Sequence, residues 1–401
     1  MKYSLQKFPL NLGSLTSFLE NVWNAGWFDE YSENHFLIKA IYCNLSDFIG
    51  ETQFVNNNLN ISGVLDDNTN VDYDGFCTSF CINFSQRMGN LAGIFGNRNI
   101  ERYIKDKLSA GKNNYDENIF FEALSEFSIL SFYASQEWLS VEYEPTSIAG
   151  KNKKNPEAKF VGKKSFNFWG KEDDALFNEF EVNIEVKAAN FPHTYLHDKP
   201  LLIPAILLSE NGRKLIPDFC KENDIDYINP RVLKLRDFLN SAAEKFSNPS
   251  KNKFNILYIN WSFSEFPLNG FLEAWSLLTN DKNGILRYPT IARKFNILDA
   301  VFERITAVVV YTESLDGLLF NDFRFVWQRL GAGPQFRMWI IDENVRKMQD
   351  IYRNNILFYI TNMNPDPPIS IDFMLSDSSK TLSHEIVDML SKLHKDNYLM
   401  P

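Results

Sequence analysis

Glu185 and Lys187 stand two residues apart in NEFEVNIEVKAANF, residues 178 to 191. Read as a strand, the stretch alternates with a period of two. Phe180, Val182, Ile184, Val186 and Ala188 then share one face, and Glu181, Asn183, Glu185 and Lys187 share the other. A carboxylate and an ammonium at this spacing have two readings. They form a solvated charge pair on an exposed face, or they hold a metal ion and a water against a phosphate. In the second reading the carboxylate binds a hard cation through oxygen. The ammonium, a compact point charge, steadies the attacking water and the developing negative charge. Both readings expect the pair on the solvent-facing side of the strand.

Further acids precede this strand. The segment YDENIFFEALSEFSILSFYASQEWL, from residue 115, has helical spacing and is apolar over most of its circumference, so it belongs inside a domain. It carries Glu122 and Glu126 one turn apart, where like charges repel unless a cation sits nearby. NPEAKF then places Glu157 directly after Pro156. Around it, GKNKKNPEAKFVGKK gathers Lys151, Lys153, Lys154, Lys159, Lys163 and Lys164 with no other acid in the window. Such a run is either a solvated loop or a contact to phosphate backbone that is blind to base sequence.

The elements needed to position these groups are legible in outline. SVEYEPTS reads as a strand, PRVLKLRDFLNSAAEKF (230 to 246) as a helix with Pro230 at its start, and LNGFLEAWSLLT as helical. FNILYINW (254 to 261) and ITAVVVY (305 to 311) are continuously apolar and β-branched, as in strands buried on both faces. FRMWIID (336 to 342) and ILFYI (356 to 360) suggest two more strands. The alternation predicts an α/β fold with a mixed central sheet flanked by helices. An additional N-terminal region precedes it, in which the Asn- and Asp-rich stretch 56 to 75 reads as turns or a hairpin-like excursion.

Taken in chain order, a glutamate on a buried helix, an acid after proline and an acid-x-Lys on a strand resemble the PD-(D/E)XK nuclease superfamily over roughly residues 115 to 260. The resemblance implies a restriction-endonuclease-like core and a Mg²⁺ (or Mn²⁺) ion held by Glu126, Glu157 and Glu185, with Lys187 completing the catalytic set. Glu157 departs from the pattern, since the family usually has Asp after the proline; Glu142, Glu144 and Asp173 stand as alternatives. Pro217-Asp218 is a more literal match, but no acid-x-Lys strand follows it, and it reads as a loop or helix start. The implied organisation is an N-terminal region of unassigned role (1–110), a nuclease domain (111–345) and a C-terminal extension (346–401). The implied activity is phosphodiester hydrolysis, on DNA in preference to RNA. The setting implied by analogy is a bacterial defence or mobile-element system, in which a companion ATPase or sensor supplies target choice. A catalytically inactive subunit of the same fold, binding nucleic acid or acting as a scaffold, is the alternative. An interaction protein with an acidic, aromatic-rich surface is a third reading.

Composition narrows the field. Of 401 residues, 44% are hydrophobic and 23% charged, the balance of a folded chain. The net charge of −10 excludes a global positive field, though not a local basic patch. The longest apolar run, LLIPAILL, is too short to span a bilayer, and the first residues lack the apolar core of a signal peptide, so a cytosolic protein with no membrane partner is expected. Four cysteines make no disulfide framework, and CTSFC (77 to 81) reads as buried thiols. HTYLH spaces His193 and His197 like a zinc pair but lacks the glutamate of a metalloprotease. GAG at 331 to 333 is followed by Pro334, so it makes no phosphate-binding loop.

Overall fold

In the computed structural model, which describes residues 13–42, 73–145, 155–164, 178–191, 200–201, 218, 221–222, 226–227, 231–263, 273–275, 277–279, 284–313, 336–341 and 351–361, the chain forms two compact units. The first comprises Met1–Glu137 with Leu315–Gly333, the second Trp138–Ser314 with Pro334–Pro401. The described part of the first unit is helical: α1 (Ser17–Asn24), α2 (Phe36–Tyr42), α3 (Tyr73–Phe95), α4 (Asn97–Arg102), continued by a π-helical turn over Tyr103–Leu108, and α5 (Glu117–Ala134). α5 starts where its sequence dictates, because Asp116 accepts hydrogen bonds from the Asn118 and Ile119 amides (2.8 and 3.2 Å). Tyr73 to Gly75, read as the end of a turn-rich excursion, instead open α3; the rest of that excursion lies outside the described residues. α3 also carries Cys81 as a free, fully buried thiol, whose pKa burial pushes up to about 12. His35 is equally inert: burial depresses its pKa to about 3. Its Nδ1 accepts the Leu37 amide while Nε2 faces the Leu108 carbonyl at 2.8 Å.

The second unit is built on a six-stranded mixed sheet. Its strands are β1 (Ser140–Tyr143), β2 (Ala158–Lys164), β3 (Asn178–Phe191), β4 (Lys253–Phe263), β5 (Ala307–Tyr311) and β6 (Phe336–Ile340), in that spatial order. The β1–β2, β2–β3 and β5–β6 pairs are antiparallel, and β3–β4 and β4–β5 are parallel. Apart from it, Pro200–Leu201 pairs with Asp226–Tyr227. Helices beside the sheet include α6 (Val232–Lys245), α7 (Pro289–Lys294), α8 (Asp299–Arg304) and α9 (Ile351–Thr361), and residues 273–275 and 277–279 are helical too.

Both sheet faces are covered. α6 lays Leu235, Phe238, Leu239, Ala242 and Ala243 into one core with Leu257, Ile259 and Trp261 of β4 and Val308 and Val310 of β5. α9 covers the opposite face: Tyr359 meets Phe180 edge-on at 6.3 Å, and the Arg353 guanidinium lies 5.2 Å from the Phe254 ring. ILFYI is therefore helical rather than a strand. A short apolar run does not reveal its period, and here Ile356, Leu357 and Ile360 are buried at helical spacing while Phe358 is 47% exposed. Lys159, Lys163 and Lys164 likewise belong to a strand, β2, rather than to a lysine-rich loop.

Gly162 on β2 is held to its identity by its neighbours. An added Cβ would lie 2.6 Å from Phe180 Cζ and 3.1 Å from Trp138 Cζ3, and Trp138 also packs on Phe160 at 5.0 Å between ring centres. Gly162→Ala is therefore expected to destabilise the fold by about 1–3 kcal/mol through overpacking. Denaturant unfolding checks this, and an unchanged midpoint would show that the rings yield freely.

Candidate active site

The register decides what each face of β3 meets. Glu185 is level with Leu257, Lys187 with Ile259 and Ala189 with Trp261, so all three point to the side covered by α6. The expectation of a solvent-facing pair is therefore overturned. Glu185 is 0% exposed, and the Lys187 side chain retains only 22% of its surface. Alternation was a sound guide to which residues share a face. It could not tell that the polar face would be roofed by a helix.

β2 brings in the second acid. Glu157 immediately precedes the strand, and its backbone is pinned on both sides: its amide donates to the Ile184 carbonyl (2.9 Å), and its carbonyl accepts from the Glu144 amide (2.9 Å). Pairing of Ala158 with Ile184 sets Glu157 beside the Glu185 end of β3. α6 supplies a residue that the sequence reading did not select. Lys245, its last residue, lies with Nζ 2.6 Å from Glu185 Oε1 and 3.2 Å from Glu157 Oε1. Lys187 Nζ approaches the same Glu185 oxygen at 2.7 Å. These contacts to Glu185 are ion pairs by distance, without hydrogen-bonding angles, and Glu185 Oε2 is buried with no hydrogen-bond partner among the described residues. The signal for Lys245 was present. It continues the apolar stripe Leu235, Phe238, Ala242 at helical spacing, where a lysine is out of place unless a carboxylate receives it.

Two carboxylates and two ammoniums thus form a cluster of zero formal charge. Burial raises the Glu185 pKa, and the neighbouring Glu157 charge raises it further; Lys187 and Lys245 oppose both. For Lys245 burial acts downward, but the Glu157 and Glu185 carboxylates outweigh it and the net shift is upward. The same sheet face continues as a ladder of opposite charges. Glu181 receives Lys253 at 2.8 Å, and Lys159 reaches Glu142 at 2.8 Å. Burial works against the Glu181 carboxylate, yet Lys253 and Asn183 hold its pKa below the usual range. Asn183 donates to Glu181 and to Asn255 (both 2.9 Å), leaving its own Oδ1 buried without a hydrogen-bond partner among the described residues.

Glu126 is on α5 in the first unit, where Lys107 Nζ contacts both of its oxygens (2.9 and 3.0 Å). That cation accounts for a glutamate on so apolar a helix; Glu122 is exposed. Lys163 is exposed on β2. Lys151, Lys153, Lys154, Asp173, His193, His197 and the GAG segment lie outside the described residues. Asp218 is a helical, exposed residue, in keeping with a helix start rather than a ligand. A second buried acid, Glu273, accepts from Trp261 Nε1 (3.0 Å) and the Arg231 amide (2.9 Å), tying the start of α6 to β4.

As a metal site the cluster offers a pair of acids. Among the described residues no group of three or more His, Cys, Asp or Glu side chains could hold a metal ion. The pair nevertheless suits a hard dication in kind: Mg²⁺ commonly takes one or two protein carboxylates and keeps several waters, and Glu185 Oε2 is a buried acceptor in want of a partner. No helix among the described residues is long and apolar enough to cross a membrane. Comparison with known proteins finds no matching family model, no matching curated protein and no matching solved structure.

Proposed function

We propose that the second unit is a metal-dependent nuclease of the PD-(D/E)XK type, hydrolysing phosphodiester bonds of nucleic acid, DNA in preference to RNA. The observation that carries this reading is the convergence of Glu157, Glu185 and Lys187 at one end of the β2–β3 pair, in the middle of a mixed sheet. A proline-preceded acid and an acid-x-Lys lie 28 residues apart in sequence (157 against 185) and share one ammonium in space. Glu157 and Glu185 would hold Mg²⁺ or Mn²⁺. Such an ion, when bound, supplies Lewis acidity and a more acidic bound water. Lys187, partly exposed beside Glu185, would orient the attacking water and meet charge on the phosphoryl oxygens. The charge ladder through Lys159 and Lys253 offers further ammoniums along the same face for backbone contact.

One observation favours a non-catalytic subunit of this fold instead: both acids are already neutralised by lysines, and Glu157 replaces the usual aspartate. Substitution at Glu157 separates the two readings. Glu157→Gln keeps the shape but loses the charge a hard cation needs, so metal affinity and cleavage are expected to fall together. Glu157→Asp shortens the reach by one methylene and is expected to retain cleavage. The measurement is a Mg²⁺ and Mn²⁺ titration of cleavage on single- and double-stranded substrates. Full activity in the Gln variant would exclude Glu157 as a ligand. A wild type inert on every substrate, with both variants folded, would favour the non-catalytic reading.

A further inference from the structure

Among the described residues of the cluster, Lys245 is the group that touches both acids: its Nζ is 2.6 Å from Glu185 Oε1 and 3.2 Å from Glu157 Oε1. We propose that this ammonium is the resident counter-ion of the Glu157–Glu185 pair, so that Lys245 and a divalent cation would compete for the same two carboxylates. The proposal rests on reading the pair as metal ligands. A hard dication held by both carboxylates, even through the unpartnered Glu185 Oε2, would sit within a few ångströms of the ammonium that already contacts both acids. A dication there adds two charges to a site that already holds the Lys187 and Lys245 ammoniums, and their repulsion in a largely dry site favours displacement of Lys245. Lys187 does not take the bridging role, since among the described residues its ion pair is to Glu185 alone.

The architecture allows the exchange. Lys245 closes α6, whose Ala242 and Ala243 are fully buried and whose following residue, Phe246, is 2% exposed, so the stem is anchored. The lysine head sits on a flexible four-carbon chain and can leave the bridge without moving the helix. A displaced Nζ stays near Lys187. The carboxylates then carry a dication with two ammoniums beside it, a net charge of +2 by formal count. An anionic phosphodiester offsets that charge, so metal and substrate each favour the other's binding. On this view the metal-free site is latched by its own lysine, and metal affinity is weak until nucleic acid arrives.

The test is Mn²⁺ binding, followed by electron paramagnetic resonance and calorimetry, for wild type, Lys245→Met and Glu157→Gln in the full chain without substrate. Lys245→Met removes the competitor and is expected to bind Mn²⁺ about tenfold tighter or more, which is roughly 1.4 kcal/mol. Equal or weaker binding by the Met variant overturns the proposal. If wild type binds and Glu157→Gln weakens it while Lys245→Met matches wild type, the ligand pair stands and Lys245 is only structural. If neither wild type nor Lys245→Met binds Mn²⁺, the reading of the acids as ligands falls, and this proposal with it. Should Lys245→Met fail to fold alone, refolding with Mn²⁺ is expected to restore its circular dichroism, because the dication replaces the missing ammonium. Absence of rescue, in this variant and in Lys245→Gln, overturns the proposal.

Discussion

Glu185→Ala is expected to lower the thermal midpoint by on the order of 10 °C and to abolish cleavage at the same time. The side chain is fully buried and is the shared partner of Lys187 and Lys245. Its removal leaves Lys245, itself only 9% exposed, facing Glu157 alone across 3.2 Å. Breaking a buried ion pair by deleting one partner typically costs about 3–5 kcal/mol, and each kcal/mol moves the midpoint of a domain this size by about 2–4 °C. A surface substitution would have changed stability by about 0.5 kcal/mol or less and left the midpoint nearly unchanged. That is the outcome the sequence alone led one to expect, when Glu185 was assigned to the solvent side. Glu185→Gln preserves volume and is expected to destabilise less while still failing to cut. The two variants together separate chemistry from folding. Differential scanning calorimetry of both, beside a cleavage assay, decides the matter. An unchanged midpoint in the Ala variant would mean that the carboxylate is not held as described, and a folded Gln variant cutting like wild type would take Glu185 out of the reaction.

The second large effect is a change in how stability depends on pH. Glu185 has a folded-state pKa raised by burial and by Glu157, with Lys187 and Lys245 pulling it back. An acid whose pKa is raised on folding binds more protons folded than unfolded. Its contribution therefore declines as pH rises from about 4.5, the ordinary glutamate value, through the raised pKa. Lys245→Met deletes one of the two opposing charges, so the folded pKa climbs further and the decline steepens. The stability deficit of Lys245→Met against wild type is expected to be smallest near pH 5 and to grow toward neutrality, by about 1.4 kcal/mol for each unit of added shift. Midpoints measured from acid to neutral pH test this. A deficit independent of pH would reduce Lys245 to a packing residue.

How far these residues were legible varied with the kind of information each required. β3, β4, β5, α5 and α6 follow from local periodicity, and the structure places them where the sequence suggested. The coarse architecture followed as well, an α/β unit with a mixed sheet flanked by helices. ILFYI was misjudged because five apolar residues fit either period, and only contact with Phe180 and Phe254 shows which side is covered. The helices α1 to α3 were read only as short apolar runs between polar linkers, although Leu19, Val22 and Trp23 of α1 stand at the i, i+3, i+4 spacing of a helix face. At the site, Glu185 and Lys187 were found from their spacing, and Glu157 from the proline before it. Lys245 was not, because its role depends on a contact between residues 88 apart. Burial of Glu185 was missed for the same reason: the roof over β3 comes from a helix well downstream.

That long connection has a consequence for synthesis. A ribosome completes the β2–β3 hairpin, with both carboxylates, well before it adds α6, because Lys245 follows Glu157 by 88 residues. During that interval the two carboxylates have only the Lys187 ammonium of β3 beside them and β4 is not yet made, and non-local pairing of this kind is slow to form. Lys245 completes the neutralisation of the pair when α6 emerges, and the helix gains its apolar core once β4 and β5 follow. Chains released before α6 would carry the acids with Lys187 but without Lys245 and the covering helix, leaving unfinished copies open to chaperones and proteases.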